Sequence, residues 1–111
     1  MDKDELLEKT NHVTMLLDCY GDLLTDKQQR YLMMYYEEDL SLAEIAEIVD
    51  VSRNAIYDQI KRAVKILEDY EQNLHLLQKH QERLTLINKI EKEKEIDHQQ
   101  LVSYLEKLKD I

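Results

Sequence analysis

Apolar side chains recur every three or four residues along most of the chain, which is typical of one face of an amphipathic α-helix. The first such segment places these positions on one side: Leu6, Val13, Leu17 and Tyr20. Gly21-Asp22 predicts the end of this helix, and Thr25 with Gln28 forms a capping box that opens a second one. The second helix is expected to pack through Gln28, Tyr31, Leu32 and Tyr35. The acidic run from Glu37 to Asp39 then interrupts the pattern.

Two further helices are predicted on either side of a very short turn. Ser41 with Glu44 is another capping box, and the helix that it opens ends at Asp50, a residue type that tolerates a left-handed turn. The buried face of this helix is expected to be Ile45, Ala46, Ile48 and Val49. Ser52 offers an N-cap hydroxyl to the next helix, whose apolar positions are Ile56, Ile60, Ala63, Val64 and Leu67. This arrangement predicts a helix-turn-helix at about residues 41 to 66.

The apolar spacing continues into the C-terminal third as a heptad seam. Its positions are Ile60, Ala63, Leu67, Tyr70, Leu74, Leu77, Gln81 and Leu84. One straight helix along this whole seam would be improbably long for a small domain, so we expect a bend or break near Asp69 to Asn73. A last amphipathic stripe contains Leu101, Tyr104, Leu105 and Leu108. We therefore expect two parts, a helix-turn-helix domain at 1–70 and C-terminal helices at 71–111 that pair in a homodimer.

Composition supports an all-α protein. One glycine and no proline among 111 residues leave almost none of the turn residues that a sheet protein needs. The lone Cys19 indicates a reducing compartment, and the acidic N-terminus is unlike a secretory signal, so we expect a cytoplasmic protein. The longest apolar run, Tyr31 to Tyr36, is too short to insert in a membrane. The predicted fold class is an all-α helix-turn-helix bundle with a C-terminal helical extension.

Net charge is −9, which argues against a nonspecific nucleic-acid binder because phosphate neutralisation supplies most of that affinity. The distribution is uneven, however. Residues 53 to 67 carry four basic side chains and one acidic side chain, whereas each of the flanking segments is acidic. The basic stretch therefore coincides with the second helix of the predicted helix-turn-helix.

With Ile56 and Ile60 facing inward, the outward side of this helix defines candidate DNA contacts. They are Ser52, Arg53, Asn54, Tyr57, Asp58, Lys61, Arg62 and Lys65. Arg53 has the donors to pair with guanine, and Asn54 can pair with adenine. The remaining basic side chains are expected to hold phosphates, and Ser52 lies at a helix N-terminus, where backbone N–H groups favour a phosphate.

The segment from Ser41 to Tyr57 resembles the fourth conserved region of bacterial sigma factors, which binds the upstream promoter element. With the flanking motifs, it more closely resembles the YlxM family. The flanking motifs are Tyr20 to Thr25, Tyr35-Tyr36, Asp39 to Leu42 and Tyr57 to Arg62. The resemblance covers about residues 5 to 72. It implies a small cytosolic bacterial protein with a DNA-binding helix-turn-helix and an association with the signal recognition particle pathway.

Other residue types that often carry chemistry have simpler interpretations in this sequence. Tyr31, Tyr35 and Tyr36 fit either a stacking platform for single strands or, preferably, core packing. His75 and His80 are five residues apart and do not share a helical face for a metal, and Cys19 is expected to be a buried, inert thiol. We expect no catalytic residues, no metal, no cofactor and no enzymatic activity.

Two functions remain open from the sequence. The first is a dimeric regulator whose partner is double-stranded DNA. The second is a protein-interaction module of the signal recognition particle pathway, which contacts a protein component of the particle and does not use its helix-turn-helix on DNA. RNA binding is disfavoured because aromatic and basic residues interleave only from Tyr57 to Lys65.

Overall fold

The computed structural model describes residues 3–111, with side chains from Leu6 onward, and this part of the chain is helical throughout with short connections. The helices are α1 (Lys3–Tyr20), α2 (Asp26–Leu32), α3 (Leu42–Val49), α4 (Arg53–Leu74), α5 (Leu76–Lys92) and α6 (His98–Asp110). A 3-10 turn, Gly21–Leu23, follows α1, and a π-helical turn, Met33–Glu37, follows α2. The chain divides into two compact units, one ending at Leu74 and one spanning His75–Ile111. The predicted all-α fold with a helix-turn-helix is confirmed.

The apolar face of α1 is buried from its middle to its end. Val13, Leu17 and Tyr20 are buried as the spacing predicts, together with Leu16. Leu6, however, is exposed, since the predicted stripe extends beyond the part of α1 that the core covers. The helix ends where Gly21 begins the 3-10 turn, as expected.

The second helix changes its geometry midway. Thr25 and Gln28 form the predicted capping box, each side chain satisfying a backbone N–H of the other residue. The segment Met33–Glu37 then widens into a π-helical turn, and Met34 is buried there. Because the wider turn rotates the following residues, Tyr35 and Tyr36 are only half-buried.

Helix α3 is short and is fixed at both ends. Its predicted capping box is present, with the Glu44 N–H donating to the Ser41 Oγ over 3.0 Å. Ile45 is fully buried, and its neighbours Ala46 and Val49 are half-buried. The expected burial of Ile48 is wrong, because its side chain is 55% exposed. An eight-residue helix buries a narrow stripe, and Ile48 lies outside it.

Helix α4 is the centre of the first unit and contacts α1, α2 and α3. Its buried side chains are Ile56, Ile60, Ala63 and Leu67. Near its C-terminal end, the ring of Tyr70 stacks on that of Tyr20, with centroids 5.8 Å apart. The Tyr20 hydroxyl donates to the Glu71 Oε1 over 2.6 Å, so a buried phenol oxygen finds a partner at the edge of the core.

The break after α4 lies at His75, which has a left-handed backbone with φ of 57°. It falls just beyond the expected interval, Asp69 to Asn73, and it interrupts the predicted heptad seam. In the second unit, α5 and α6 contact each other. Asp97 and Gln100 form a capping box at the start of α6, and the Tyr104 hydroxyl donates to the Glu93 carboxylate.

The buried large apolar side chains of the second unit are Leu77 and Tyr104. Many others remain exposed: Leu76, Leu84, Ile87, Leu101, Val102 and Leu105. Within the described residues, no helix has the length and apolar character to cross a membrane.

Candidate nucleic-acid interface

The turn between α3 and α4 is three residues long and is built from local hydrogen bonds. Asp50 adopts the left-handed conformation, with φ of 57° and ψ of 49°, as its residue type predicts. Its backbone N–H and that of Val51 both donate to the Ala46 carbonyl, the latter over 3.1 Å. These bonds satisfy the last turn of α3 and direct the chain into α4.

Ser52 caps the start of α4. Its Oγ accepts a hydrogen bond from the Ala55 N–H over 3.1 Å, and its carbonyl accepts from Ile56. An oxygen that accepts from the backbone keeps its own O–H proton for donation. Ser52 can therefore cap α4 and donate to a phosphate at the same time.

The candidate contacts all lie on the exposed side of α4 or at its cap. Ser52, Arg53, Asn54, Tyr57, Asp58, Lys61, Arg62 and Lys65 are all exposed. Ile56 is fully buried, and Ile60 is also buried, on the opposite side. The structure therefore brings the candidate residues together on one surface, which we call the α4 face. Whether that face contacts DNA remains a prediction.

One lysine of the α4 face has a partner of its own. The Lys65 Nζ lies 3.4 Å from the Asp69 Oδ1, and both side chains are more than half exposed. An exposed pair at this helical spacing contributes only a few tenths of a kcal/mol, roughly. A phosphate could therefore displace Asp69 from Lys65 at little energetic cost.

Acidic groups are exposed on α3, in the turn before α4 and on α4 itself. Glu44, Glu47 and Asp50 are exposed, and Asp58 lies within the face itself. These carboxylates oppose an approaching phosphate at short range, because at about 0.1 M salt exposed charges interact over about 10 Å before they are screened. Within the α4 face, a phosphate is therefore opposed least around Lys61 and Lys65.

Sequence reasoning missed what lies beside this face. Tyr35, Tyr36 and Lys9 line the same groove as Tyr57 and Lys61. These residues come from three separate elements, so their proximity has no counterpart in sequence spacing. Adjacent tyrosines are about 100° apart on a helix, which was a sign that both could not point into one core.

The two groove tyrosines contact each other edge to face, with ring centroids 4.9 Å apart. Burial raises the pKa of the Tyr36 phenol above its ordinary value, and Tyr35 and Glu68 raise it further. Tyr36 is therefore a neutral phenol at neutral pH, able to donate a hydrogen bond to a ligand in the groove.

The expectation for Cys19 is wrong, since its thiol is exposed. Residual desolvation raises the pKa of this thiol, and the Glu71 carboxylate raises it further, while a hydrogen bond with Tyr20 lowers it. A raised thiol pKa disfavours the nucleophilic thiolate. The four histidines are exposed, and among residues 3–111 no group of three histidine, cysteine or acidic side chains is placed to hold a metal.

Comparison with known proteins assigns the chain to a family. Residues 7–109 match the family described as "UPF0122: Putative helix-turn-helix protein, YlxM / p13 like". UPF0122 proteins of Bacillus cereus, Bacillus anthracis and Bacillus thuringiensis subsp. konkukian are each 50% identical over 109 residues, covering 93% of this chain and 99% of the relative. The description is that of a helix-turn-helix protein and not of an enzyme. The chain belongs to the UPF0122 family of YlxM / p13-like proteins.

Proposed function

We propose that the protein is a dimeric regulator that binds duplex DNA through the N-terminal turns of α4. The observation that carries the proposal is the α4 face: eight candidate contacts are exposed together on a helix whose opposite side anchors the core. A helix placed in this way can enter the major groove, which is about 12 Å wide.

The roles follow from position along α4. Arg53 and Asn54 lie in the first turn, where a recognition helix reaches base edges, so they read sequence. Lys61, Arg62 and Lys65 lie about two to three turns later and hold phosphates. Tyr57 contacts a base or sugar between these two groups, and Asp58 selects against a wrongly placed phosphate.

The second unit supplies the dimer in this proposal. Leu84 is 45% exposed and Leu105 is 48% exposed, on two helices that already contact each other. Burying such side chains stabilises an interface by about 25 cal/mol per Å² of apolar area. Pairing two copies through α5 and α6 covers this surface and gives two α4 faces, which read a palindromic site.

The first experiment selects bound sequences from a random duplex pool at low salt. The native protein is compared with the double variant Arg53→Ala, Lys61→Ala. A matched control removes two equivalent charges from the second unit, Lys79→Ala with Arg83→Ala, both exposed on α5. We expect a palindromic motif with the native protein and the control, and no motif with the α4 variant.

Salt dependence adds a second measurement. Removing a side chain that neutralises one phosphate lowers the slope of log K against log salt by about 0.9. Lys65→Ala should therefore reduce the slope by about one without changing the selected motif. If no sequence is enriched at low salt, DNA regulation is wrong for this protein.

The dimer is tested by analytical ultracentrifugation. Leu84→Glu with Leu105→Glu places charges on the exposed apolar surface of the second unit, and we expect the double variant to sediment as a monomer. Leu23→Glu is the control, because Leu23 is at least as exposed but belongs to the first unit. A native protein that is monomeric at all concentrations would contradict the proposed dimer.

A second candidate function is a protein-interaction module of the signal recognition particle pathway, as the resemblance to the YlxM family implies. The exposed carboxylates of Glu44 and Glu47 on α3 and of Asp50 in the turn favour it, because they oppose DNA but suit a basic protein surface. Its test is calorimetric titration with the protein component of the particle. Binding that Glu47→Gln weakens, without sequence-selective DNA binding, would favour this candidate.

A further inference from the structure

A groove of about 700 Å³ runs along one side of α4 in the first unit. Its α4 wall is formed by residues at helical spacing, among them Tyr57, Lys61, Val64 and Glu68. The facing wall comes from other elements: Lys9 of α1, Tyr35 and Tyr36 of the π-helical turn, and Leu42 of α3. The groove is therefore a product of tertiary packing.

A second groove of about 410 Å³ continues the first. The two share Lys9, Tyr35 and Tyr36, and the second extends past them to Leu6 and Leu40. We call the combined depression the tyrosine trough. Its extent across α1, the π-helical turn and two further helices suits a linear ligand better than a compact one.

The floor of the trough is apolar and aromatic. Tyr35, Tyr36, Leu40, Leu42 and Val64 are half-buried there. At the edge, the Tyr57 side chain is 50% exposed. Tyrosine is enriched at protein interfaces, because a rigid ring and a hydroxyl allow it to contact apolar and polar groups together.

The charges around the trough distinguish between classes of linear ligand. On the α4 side, cationic Lys61, Arg62 and Lys65 line the first groove together with anionic Asp58 and Glu68.

Beyond the shared Lys9, the second groove is lined by anionic Asp39 and Glu44. A nucleic-acid strand is uniformly anionic, so the part of the trough beside Asp39 and Glu44 would repel it. A protein helix carries charges of both signs and can match both parts.

We propose that the tyrosine trough binds an amphipathic helix of a partner protein. Its apolar face lies on the tyrosine rings, with side chains spaced by three and four residues as anchors, as in other helix-in-groove complexes. Carboxylates of the partner helix face Lys61 and Lys65. Its ammonium or guanidinium groups face Asp39 and Glu44. This goes beyond DNA binding, although the two surfaces share Tyr57 and the α4 lysines.

The probe for the test is a synthetic helical peptide of about 18 residues, or about 27 Å. One face carries leucines at helical spacing, the first half of the other face carries glutamates, and the second half carries lysines. Two further peptides keep the leucines and carry only lysine or only glutamate. A poly-uridine oligonucleotide of similar length is the nucleic-acid probe.

Binding is measured by fluorescence anisotropy and located by changes in the backbone amide NMR signals of the full chain. We expect the mixed-charge peptide to bind with Kd below about 1 mM, more tightly than either single-charge peptide. The shifted signals should cluster at Tyr35, Tyr36 and Tyr57. Tyr57→Ala, an exposed position that leaves the core intact, should weaken binding about tenfold.

Charge variants refine the test. Lys61→Gln with Lys65→Gln should weaken binding of the mixed-charge peptide about three- to tenfold. Glu44→Gln removes one charge at the other part and keeps an amide oxygen for the capping box, so a similar but smaller loss is expected. Lys79→Gln with Arg83→Gln, on α5, is the matched control and should change nothing.

The proposal is overturned if none of the peptides binds saturably, or if the signals that shift lie outside the trough. It is also overturned if poly-uridine binds at the same residues more tightly than the mixed-charge peptide. These outcomes leave the selection of DNA sequences unaffected, so failure here and failure of DNA regulation can be told apart.

Discussion

In the unit that ends at Leu74, α4 lies against three other helices, and its apolar face is covered along about three turns. In the unit from His75 to Ile111, two helices contact each other and leave most of their large apolar side chains exposed. Both units are made of amphipathic helices with capping boxes. They differ in how many other helices pack against the apolar face of each helix.

This contrast teaches that good local helix signals do not by themselves produce a closed core. A central helix with neighbours on several sides can bury its face, whereas a two-helix unit of under about 40 residues usually needs another chain or a cross-link. The first unit is therefore expected to supply most of the folding free energy. The second unit is expected to be stable only when another chain or a cross-link supplies additional contacts.

The largest expected effect comes from leucine truncation in the two units. Leu67 is fully buried in α4, so Leu67→Ala should reduce the free energy of unfolding by about 2–5 kcal/mol. Leu84→Ala, at a half-exposed position, should cost less than about 1 kcal/mol at protein concentrations where the chain is a monomer. Urea unfolding followed by circular dichroism measures both.

Equal losses for the two variants at low concentration would break the comparison, because they would mean that the second unit has a closed core. If the stability loss caused by Leu84→Ala grew with protein concentration, the contrast between the two units would be strengthened. Such an increase is expected if self-association covers Leu84.

Helix caps give the next effect in size. Ser41 caps α3 and Asp97 caps α6 through the same kind of capping box. Alanine at either position should cost about 1 kcal/mol. Hydrogen exchange should locate the Ser41→Ala loss in global unfolding of the first unit, and the Asp97→Ala loss in local opening of α6.

The conservative variants Ser41→Thr and Asp97→Asn keep a capping oxygen and serve as controls, with losses of a few tenths of a kcal/mol, roughly. If Asp97→Ala accelerated exchange in α4 as much as in α6, the two units would unfold together, and the contrast between them would be wrong.

Glycine substitution at residues with a left-handed backbone has a smaller expected effect, and it is stabilising. Asp50 ends α3 and His75 follows α4, both with φ of 57°. The left-handed conformation costs a residue with a Cβ roughly 1–2 kcal/mol, and the flexibility of glycine in the unfolded chain offsets about half of that. Asp50→Gly and His75→Gly should each raise the free energy of unfolding by up to about 1 kcal/mol.

Thermal unfolding checks this, with Asp58→Gly as a control inside α4, where glycine should be destabilising by about 1 kcal/mol. If Asp50→Gly lowered stability as Asp58→Gly does, the carboxylate of Asp50 would have a structural role in the turn that its backbone conformation does not reveal.

Much of the helix-turn-helix could be predicted because its determinants are local. The capping boxes at Thr25 and Ser41, the turn at Asp50 and the cap at Ser52 each depend on residues within four positions of one another. Because the residues involved are close along the chain, these signals can be recognised from the sequence without knowing the tertiary packing. The resemblance to the YlxM family, which rests on this segment and its flanking motifs, is also confirmed.

What could not be predicted depends on which neighbour covers which face. Ile48 is apolar but lies outside the narrow stripe that α3 buries, and Cys19 is exposed as well. The trough formed by Lys9, Tyr36 and Tyr57 requires the packing of separate elements. The candidate DNA contacts have their predicted exposure, while their function depends on a partner that the sequence does not describe.

The smallest expected effect concerns two phenols whose pKa values are raised for different reasons. In the first unit, burial is the main cause for Tyr36. In the second, the hydrogen bond to Glu93 is the main cause for Tyr104. Since both folded-state values lie above the ordinary value of about 10, the stability that each phenol contributes is present below pH 10 and is lost as pH rises through the folded-state pKa.

For Tyr104, the contribution depends on one bond between α6 and the segment after α5, and a phenolate cannot donate it. Alkaline titration followed by phenolate absorbance and helical circular dichroism should show α6 losing stability above pH 10 in the native chain. Tyr104→Phe should flatten this dependence, and Glu93→Gln, which keeps a neutral acceptor, should bring the Tyr104 pKa closer to its ordinary value.

Tyr36→Phe is the matched change in the first unit. It should alter the titration of one phenol and leave the alkaline melting of α6 as it is. Identical alkaline profiles for the native chain and Tyr104→Phe would mean that the hydrogen bond to Glu93 does not stabilise α6. The helices of the second unit would then be held together as weakly as its exposed leucines suggest.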